Sequence, residues 1–163
     1  MSENKRFVVG IHALTALAVL DGETVSSDRL AWSANMNAAA VRRVLSQLRD
    51  ADLVRSKPGP SGGFALNRAP EEITLLDVYL AVGLGPPFRA DQNDPNDECP
   101  IGTNMEAALT TAFEPVETAL YDALDAETLA DVVSDVQARI EAEYGDVEPR
   151  TGDPPFESAT DTD

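Results

Sequence analysis

The stretch PGPSGG, residues 58–63, has glycine or proline at five of its six positions. Proline lacks a backbone N–H and fixes φ, whereas glycine adopts positive φ at no steric cost, so the stretch suits neither a helix nor the paired part of a sheet. Before it, LVRSK (residues 53–57) mixes branched, aliphatic and basic residues. After it, FALN (residues 64–67) alternates with the two-residue period of a half-buried strand. The pattern predicts a β-hairpin whose tip is nearly bare of side chains.

Helical patterns precede this hairpin. A first helix is predicted over about Lys5–Leu20, a short second helix within SSDRLAWSANM (residues 26–36), and a third within AAAVRRVLSQLRDADLV (residues 38–54). Two short helices a few residues apart, followed by a hairpin, are typical of a winged helix-turn-helix. We therefore expect a mainly α fold with a small β-hairpin wing over residues 1–84. Trp32 is expected in the core.

A long C-terminal helix is expected after an irregular loop at residues 85–103. Thr103 and Glu106 have the spacing of a capping box, and Pro115 predicts a kink near Thr111. A final amphipathic helix completes the helical region at residues 104–144, and residues 145–163 are predicted to form a disordered acidic tail. Apolar residues recur at three- and four-residue spacing along the long helix: Met105, Leu109, Ala112, Val116, Leu120 and Leu124.

The charge of the chain is unevenly distributed. The 163 residues carry a formal net charge of −17, yet residues 1–70 hold nine Lys/Arg against six Asp/Glu, whereas the remainder holds three against 23. Residues 1–70, the front half, are therefore suited to a polyanion such as DNA, and residues 71–163, the rear half, would repel one. Only two of the twelve cations are lysines. Acid-rich, lysine-poor composition suits molar salt, where the screening length is about 3 Å, and predicts an extreme halophile.

Several functional classes are disfavoured by composition. The single cysteine, Cys99, excludes an internal disulfide and any multi-cysteine metal site, which favours a reducing cytoplasm. No apolar run approaches the roughly 20 residues of a membrane-spanning helix. The only histidine, His12, has no second potential metal ligand beside it, so it is expected in a structural role. No nucleophile paired with a base is evident, and we expect no enzyme.

The segment VRRVLSQLRDADLVRSKPGPSGGFALNRAPEEITLLDVYLAVG, residues 41–83, resembles the signature of the Rrf2 family of transcription regulators. In that family an LxxLxxAGLV helix is followed by a G-P-x-G-G-aromatic wing and PEEITLLDIxxAVE. The resemblance, close over residues 5–83, implies a homodimeric repressor that binds a double-stranded DNA operator. Residues 104–140 are similar to the dimerisation helices of the family, so the resemblance implies that the long C-terminal helix and residues 104–144 form the dimerisation region. The motif NAAAVRRV (residues 37–44) is similar to the YwnA-related branch without an iron–sulfur cluster. Cluster-bearing members place three cysteines before the dimer helix, so no cofactor is predicted.

Geometry and resemblance together select the candidate DNA-binding residues. Arginine binds guanine O6 and N7 bidentately, so arginines near the start of the third helix are expected to read bases in the major groove. Asn37 is expected to cap the third helix and Ser27 the second, and the N–H groups exposed at these helix starts suit phosphate. The wing is expected to contact phosphate through cations and backbone. Because the family often has arginine where this chain has Pro58, backbone contacts at the tip are favoured over minor-groove insertion. The predicted contacts are Ser27, Asn37, Arg42, Arg43, Arg55, Lys57, Ser61 and Gly62.

Two alternatives stay open at this stage. A winged-helix module that binds protein rather than DNA is the rival function, although the positive front half argues against it. Cys99 lies where the resemblance implies that relatives sense their signal, so it is a candidate redox sensor. A helix N-terminus would lower the pKa of its thiol, whereas Asp94, Asp97 and Glu98 would raise it. The alternative is that Cys99 has no sensing role and is a small buried residue that packs ahead of the long helix.

Overall fold

The computed structural model describes residues 1–20, 24–59, 62–88, 96 and 98–145. This part of the chain is mainly helical with one two-stranded antiparallel hairpin, as predicted. In chain order the elements are α1 (Glu3–Val19), α2 (Ser27–Ser33), α3 (Ala38–Asp50), β1 (Val54–Lys57), β2 (Gly63–Leu66), a 3-10 turn (Pro70–Glu72), α4 (Leu75–Ala81), α5 (Pro100–Ala126) and α6 (Leu129–Tyr144).

The core forms where α1, α3 and α4 pack together. Helix α3 buries Val41, Val44, Leu45 and Leu48, whose three- and four-residue spacing places them on one face of the helix. Helices α1 and α4 approach closely at Gly10, where an added Cβ would lie 3.2 Å from Val78 Cγ1. The core therefore fixes α3 by one apolar face and leaves its opposite face in solvent.

The hairpin forms as predicted, and its register is Val54 opposite Leu66 through Lys57 opposite Gly63. Phe64 also pairs with Val25, since each backbone N–H donates to the other residue's carbonyl at 2.9 Å. An added Cβ at Gly63 would lie 2.6 Å from the Val25 carbonyl oxygen, so only glycine fits at this crossing. The wing is thus anchored to the segment before α2.

The segment PEEITLLD joins the wing to α4. Thr74 caps α4: its hydroxyl accepts a hydrogen bond from Asp77 N at 3.1 Å, while Asp77 Oδ2 accepts one from Thr74 N at 3.2 Å. This reciprocal capping box explains the T-x-x-D spacing. Arg68 Nη1 lies 3.3 Å from the same Asp77 oxygen, and its Nη2 donates to the Glu72 carbonyl. Ile73, in the middle of the segment, is fully buried.

Helix α5 is 27 residues long and begins at Pro100, before the position predicted by the capping box. The predicted loop boundary at residue 103 is therefore wrong. Thr103 lies inside the helix, where its hydroxyl donates to the Cys99 carbonyl. Proline suits the first turn of a helix because the missing N–H has no partner there. The helix continues through Pro115; the kink near Thr111 stays a prediction.

Helix α6 turns back onto the same chain. Leu75 N donates to the Glu127 carbonyl and Leu129 N donates to the Ile73 carbonyl, at 2.9 and 2.8 Å, which pins the start of α6 beside α4. Leu129 is fully buried, and α6 then packs along α1. The sequence grouped this helix with the dimerisation region. The structure places it against the winged helix-turn-helix of its own chain.

Three further predictions concern Trp32, membrane-spanning helices and the acidic tail. Trp32, expected in the core, lies at the surface with 55% of its area exposed, so that prediction is wrong. Within the described part of the chain, no helix is long and apolar enough to cross a membrane. The predicted acidic tail, apart from Gly145, falls outside the described residues.

Candidate DNA interface

The helix-turn-helix is formed by α2, α3 and the four residues between them. Asn35 has φ 49°, a left-handed conformation that asparagine tolerates better than most side chains, and it lets the chain reverse in a tight turn. Asn37 caps α3, since its Oδ1 accepts a hydrogen bond from Ala39 N at 2.8 Å. This confirms the predicted cap. The first turn of α3 is thereby stabilised by a side chain from the turn that precedes it.

The cap of α2 differs from the prediction. Ser26, not Ser27, is the N-cap: its hydroxyl accepts a hydrogen bond from Arg29 N at 3.2 Å. Ser27 is buried, and its hydroxyl accepts from Arg42 Nε at 2.8 Å. The capping role predicted for Ser27 is therefore wrong. Ser26 is exposed and becomes the phosphate candidate at this helix end.

Arg42 joins the two helices. Besides Ser27, it contacts Asp28, whose Oδ1 lies 2.9 Å from Arg42 Nη2. Both side chains remain about half exposed, at 54% and 56%. The guanidinium of Arg42 thus has two partners on α2 in the absence of DNA. This geometry suits a residue that positions α3 relative to α2 better than one that is free to read a base.

Arg43 is placed differently. It lies on the exposed face of α3 and, within the described part of the chain, makes no hydrogen bond or ion pair. Arg49 is also exposed, on the side of α3 that carries Arg42, with Nη2 3.1 Å from both Ser46 Oγ and Asp50 Oδ1. Sequence reasoning missed Arg49, although its spacing of seven residues from Arg42 signals a shared face. The outward face of α3 is therefore basic.

The wing presents two cations. Arg55 and Lys57 are two residues apart on β1, so they project to the same face of the hairpin, and both are exposed. In the part that the structure describes, neither makes an ion pair. Gly62 N donates to the Gly59 carbonyl at 2.9 Å, so the N–H predicted to meet phosphate is already used within the tip. Ser61 lies outside the described residues.

The architecture and the sequence both match a known family. Residues 4–135 match the Rrf2 family model, which is described as an iron-dependent transcriptional regulator. The chain belongs to the Rrf2 family. YwnA of Bacillus subtilis (strain 168), an HTH-type transcriptional regulator by name, is 37% identical over 131 residues, which cover 80% of this chain and 96% of YwnA. The predicted similarity to YwnA is thus confirmed.

Other Rrf2 relatives agree with this assignment. YffB of Lactococcus lactis subsp. lactis (strain IL1403), also an HTH-type transcriptional regulator by name, is 32% identical over 83% of this chain and 89% of its own length. The structure of CymR, the global cysteine regulator of B. subtilis, superposes with a TM-score of 0.62 at 25% identity, covering 82% of this chain and 95% of CymR. The range of the family match, residues 4–135, includes α3, the wing, all of α5 and the start of α6.

The iron in the Rrf2 family description does not fit the residues present. A [2Fe–2S] cluster needs about four protein ligands, and this chain has one cysteine and one histidine. Within the described residues, no group of three or more His, Cys, Asp or Glu side chains is arranged to hold a metal ion. We therefore derive no role for iron from this site.

Cys99, the candidate redox sensor, is the N-cap of α5 and is partly exposed. The N–H groups of Gly102 and Ile101 lower the pKa of its thiol below the ordinary value, because they stabilise the thiolate. This is the direction that the sequence predicted for a thiol at a helix start. Asp94 and Asp97, expected to raise that pKa, lie outside the described residues.

Proposed function

We propose that this Rrf2-family chain is a sequence-specific DNA-binding regulator that acts as a homodimeric repressor in the cytoplasm. The observation that carries the proposal is the outward face of α3, where Arg43 is exposed at the start of a capped, core-anchored helix. A bidentate arginine–guanine pair is worth about 1–3 kcal/mol of discrimination against the wrong base. Arg43 is the proposed base reader, and Arg42 holds α3 at the correct angle.

Phosphate contacts would come from the starts of α2 and α3 and from the wing. We assign them to Ser26 and Asn37 at the helix starts and to Arg55 and Lys57 on the wing, all of which are exposed. Phosphate contacts position a protein on the duplex but carry no sequence information directly. They also weaken steeply with salt, because each one releases a counterion. At the molar salt that the composition suits, base contacts must therefore contribute a larger share of operator affinity.

The proposed homodimer rests on α5. A 27-residue helix is about 40 Å long, and α5 buries no residue fully within the described chain. Leu120, Tyr121 and Leu124 pack against the core near its end, whereas Ile101, Met105 and Val116 are exposed by 70%, 45% and 50%. A long helix that is anchored at one end and apolar at the other is suited to pair with its copy. Two related operator half-sites about one helical turn apart would match such a dimer.

A protein-binding winged-helix module is the rival function. It predicts no preference for any DNA sequence and no special effect of Arg43. The negative charge of the rear half does not distinguish the two functions, but the exposed basic face of α3 favours DNA.

The test is selection of bound fragments from the source genome in molar KCl, followed by titration of the selected operator and a scrambled copy. Arg43→Ala should lose about 1–3 kcal/mol of discrimination at one base pair per half-site. Lys57→Ala should weaken both DNAs equally, and Arg139→Ala, which removes an exposed arginine from α6, is the matched control. Equal affinity of the wild type for operator and scrambled DNA would reject the proposed function. Transcription in vitro from an operator-bearing promoter tests repression.

A further inference from the structure

A cavity of about 480 Å³ lies between α1, α2 and α6, on the side of the helix-turn-helix motif where α6 packs along α1. Its volume falls in the range of about 300–1,000 Å³ that is usual for small-molecule sites. Two of its lining residues, Val25 and Leu30, are fully buried, whereas Val8 and Trp32 line it and are exposed. The cavity therefore has a closed floor and a mouth where two large hydrophobic side chains meet solvent.

The walls of the cavity are mostly aliphatic. Helix α6 contributes Val132, Val136 and Ile140, whose four-residue spacing places them on one face of the helix. Helix α1 contributes Ile11, and Trp32 of α2 adds an aromatic ring. Removing such side chains from water is favourable in proportion to the apolar area that is covered. The walls therefore favour a ligand with an apolar body.

The polar side chains of the lining leave no partner for a charged ligand. His12 Nε2 lies 2.9 Å from Ser33 Oγ, so these two side chains pair with each other, and burial lowers the pKa of His12, which keeps the imidazole neutral at pH 7. Arg29 already has an interaction partner of its own. Thr15 is buried, and its hydroxyl, which has no hydrogen-bond partner in the described part of the chain, carries no charge. A charge that is moved into an apolar site without a partner is costly.

We propose that this cavity binds an uncharged, mainly apolar small molecule and that its occupation changes operator affinity. The second part rests on the proposed function. Shape and the burial of apolar surface select the ligand, and a net charge of either sign disfavours it.

The walls of the cavity are tied to both elements to which we assign DNA contacts. Arg42 of the recognition helix α3 donates to Ser27 and contacts Asp28, and both partners belong to α2. Val25, on the floor of the cavity, exchanges two backbone hydrogen bonds of 2.9 Å with Phe64 of the wing. A ligand that shifts α2 or Val25 therefore changes how α3 and the wing are held. Coupling between two such sites typically changes affinity by about 5–150-fold.

The single tryptophan of the chain makes the site directly observable, because Trp32 lines it. The full-length protein in molar KCl is titrated with probes that share a phenylpropyl body: 3-phenylpropan-1-ol, 3-phenylpropionate and 3-phenylpropylammonium. None of them absorbs where tryptophan is excited. We expect a saturable change of Trp32 emission with the alcohol and binding of both ions weaker by about tenfold or more, because neither charge finds a partner in the cavity.

Two variants of α6 locate the probe. Val136→Phe fills the cavity and should abolish binding of the alcohol. Gln137→Phe adds the same ring at the next position, which is exposed and does not line the cavity, and should leave binding unchanged. The comparison of the alcohol with the two ions uses the wild type, so it decides the matter even if Val136→Phe does not fold. Operator affinity is then measured with the alcohol at saturation, where we expect a change of about fivefold or more.

The outcomes distinguish this site from the proposed function. A non-saturable emission change, binding of either ion as tight as that of the alcohol, or equal binding by wild type and a folded Val136→Phe would overturn the ligand site. A change that follows protein concentration instead of the probe would show that a second copy covers the cavity, and would also overturn it. Saturable binding with operator affinity unchanged would reject the coupling alone. Saturable binding by a chain that does not discriminate operator from scrambled DNA would reject the proposed function and leave the site standing.

Discussion

Replacing Arg42 by alanine tests whether this residue positions α3 or reads a base. The substitution removes the hydrogen bond to the buried Ser27 hydroxyl at 2.8 Å and the ion pair with Asp28 at 2.9 Å. A hydrogen bond from a charged donor contributes about 1.5–3 kcal/mol, and the half-exposed ion pair about 0.2–1 kcal/mol, less in molar salt. We expect Arg42→Ala to lower the free energy of unfolding by about 2 kcal/mol, or the melting temperature by about 4–8 °C.

The assay is urea unfolding in molar KCl, followed by the emission of Trp32, which lies on α2 beside the lost contacts. Arg43→Ala is the matched control: it removes the same side chain from the next position and should change stability by about 0.5 kcal/mol or less. A double-mutant cycle of Arg42→Ala with Ser27→Ala should give a coupling free energy of about 1 kcal/mol or more.

In DNA-binding measurements, the same two variants distinguish positioning of α3 by Arg42 from base reading by Arg43. Arg42→Ala should weaken binding to operator and scrambled DNA together, because the angle of the whole helix becomes less defined, whereas Arg43→Ala should reduce discrimination at one base pair per half-site. If Arg42→Ala is as stable as Arg43→Ala, or if the effects of Arg42→Ala and Ser27→Ala simply add, the positioning role is refuted.

Three further predictions concern the wing, the charge and the cysteine. Gly63→Ala should destabilise the protein by about 1–3 kcal/mol, since its Cβ would meet the Val25 backbone at 2.6 Å, while Gly85→Ala, which meets nothing within 4 Å, should be neutral in the same urea titration. Dilution of salt below about 0.5 M should dissociate or unfold the protein, because screening of its net −17 charge disappears; a melting temperature that rises as salt is removed would contradict this. The lowered pKa of Cys99 keeps its thiolate populated below the pH at which ordinary thiols ionise, so alkylation should persist there, with Cys99→Ser as the blank. If Cys99 senses oxidants, diamide should change operator affinity in the wild type and not in Cys99→Ser; modified thiol with unchanged DNA binding rejects the switch.

Sequence reasoning located the elements of this fold well because their signals are local. The run PGPSGG forbids helix and strand pairing by backbone chemistry alone, so the wing could be placed to within a residue or two. The apolar spacing in residues 41–48 likewise defined the buried face of α3. The start of α5 was also signalled locally, by the proline at position 100, but the T-x-x-E spacing at Thr103 competed with it and was wrongly preferred.

Trp32 and the two serines at the start of α2 are positions where local sequence patterns led to wrong predictions. A helix of seven residues is too short for its periodicity to define a buried face, so hydrophobicity alone placed Trp32 in the core. Two adjacent serines, Ser26 and Ser27, are equally good caps in composition. The choice between them depends on Arg42, which reaches Ser27 from fifteen residues away. Neither outcome follows from any window of sequence around α2.

The sequence by itself determined the winged helix-turn-helix, the family and the basic face of the recognition helix, because turn chemistry, periodicity and charge are properties of neighbouring residues. Only the tertiary structure decided which of two adjacent arginines is engaged and which is available to DNA, where α6 lies, and that a cavity forms between α1, α2 and α6. Those features depend on side chains that are distant in sequence, and their distances are set by the packing of the core, which no local pattern records.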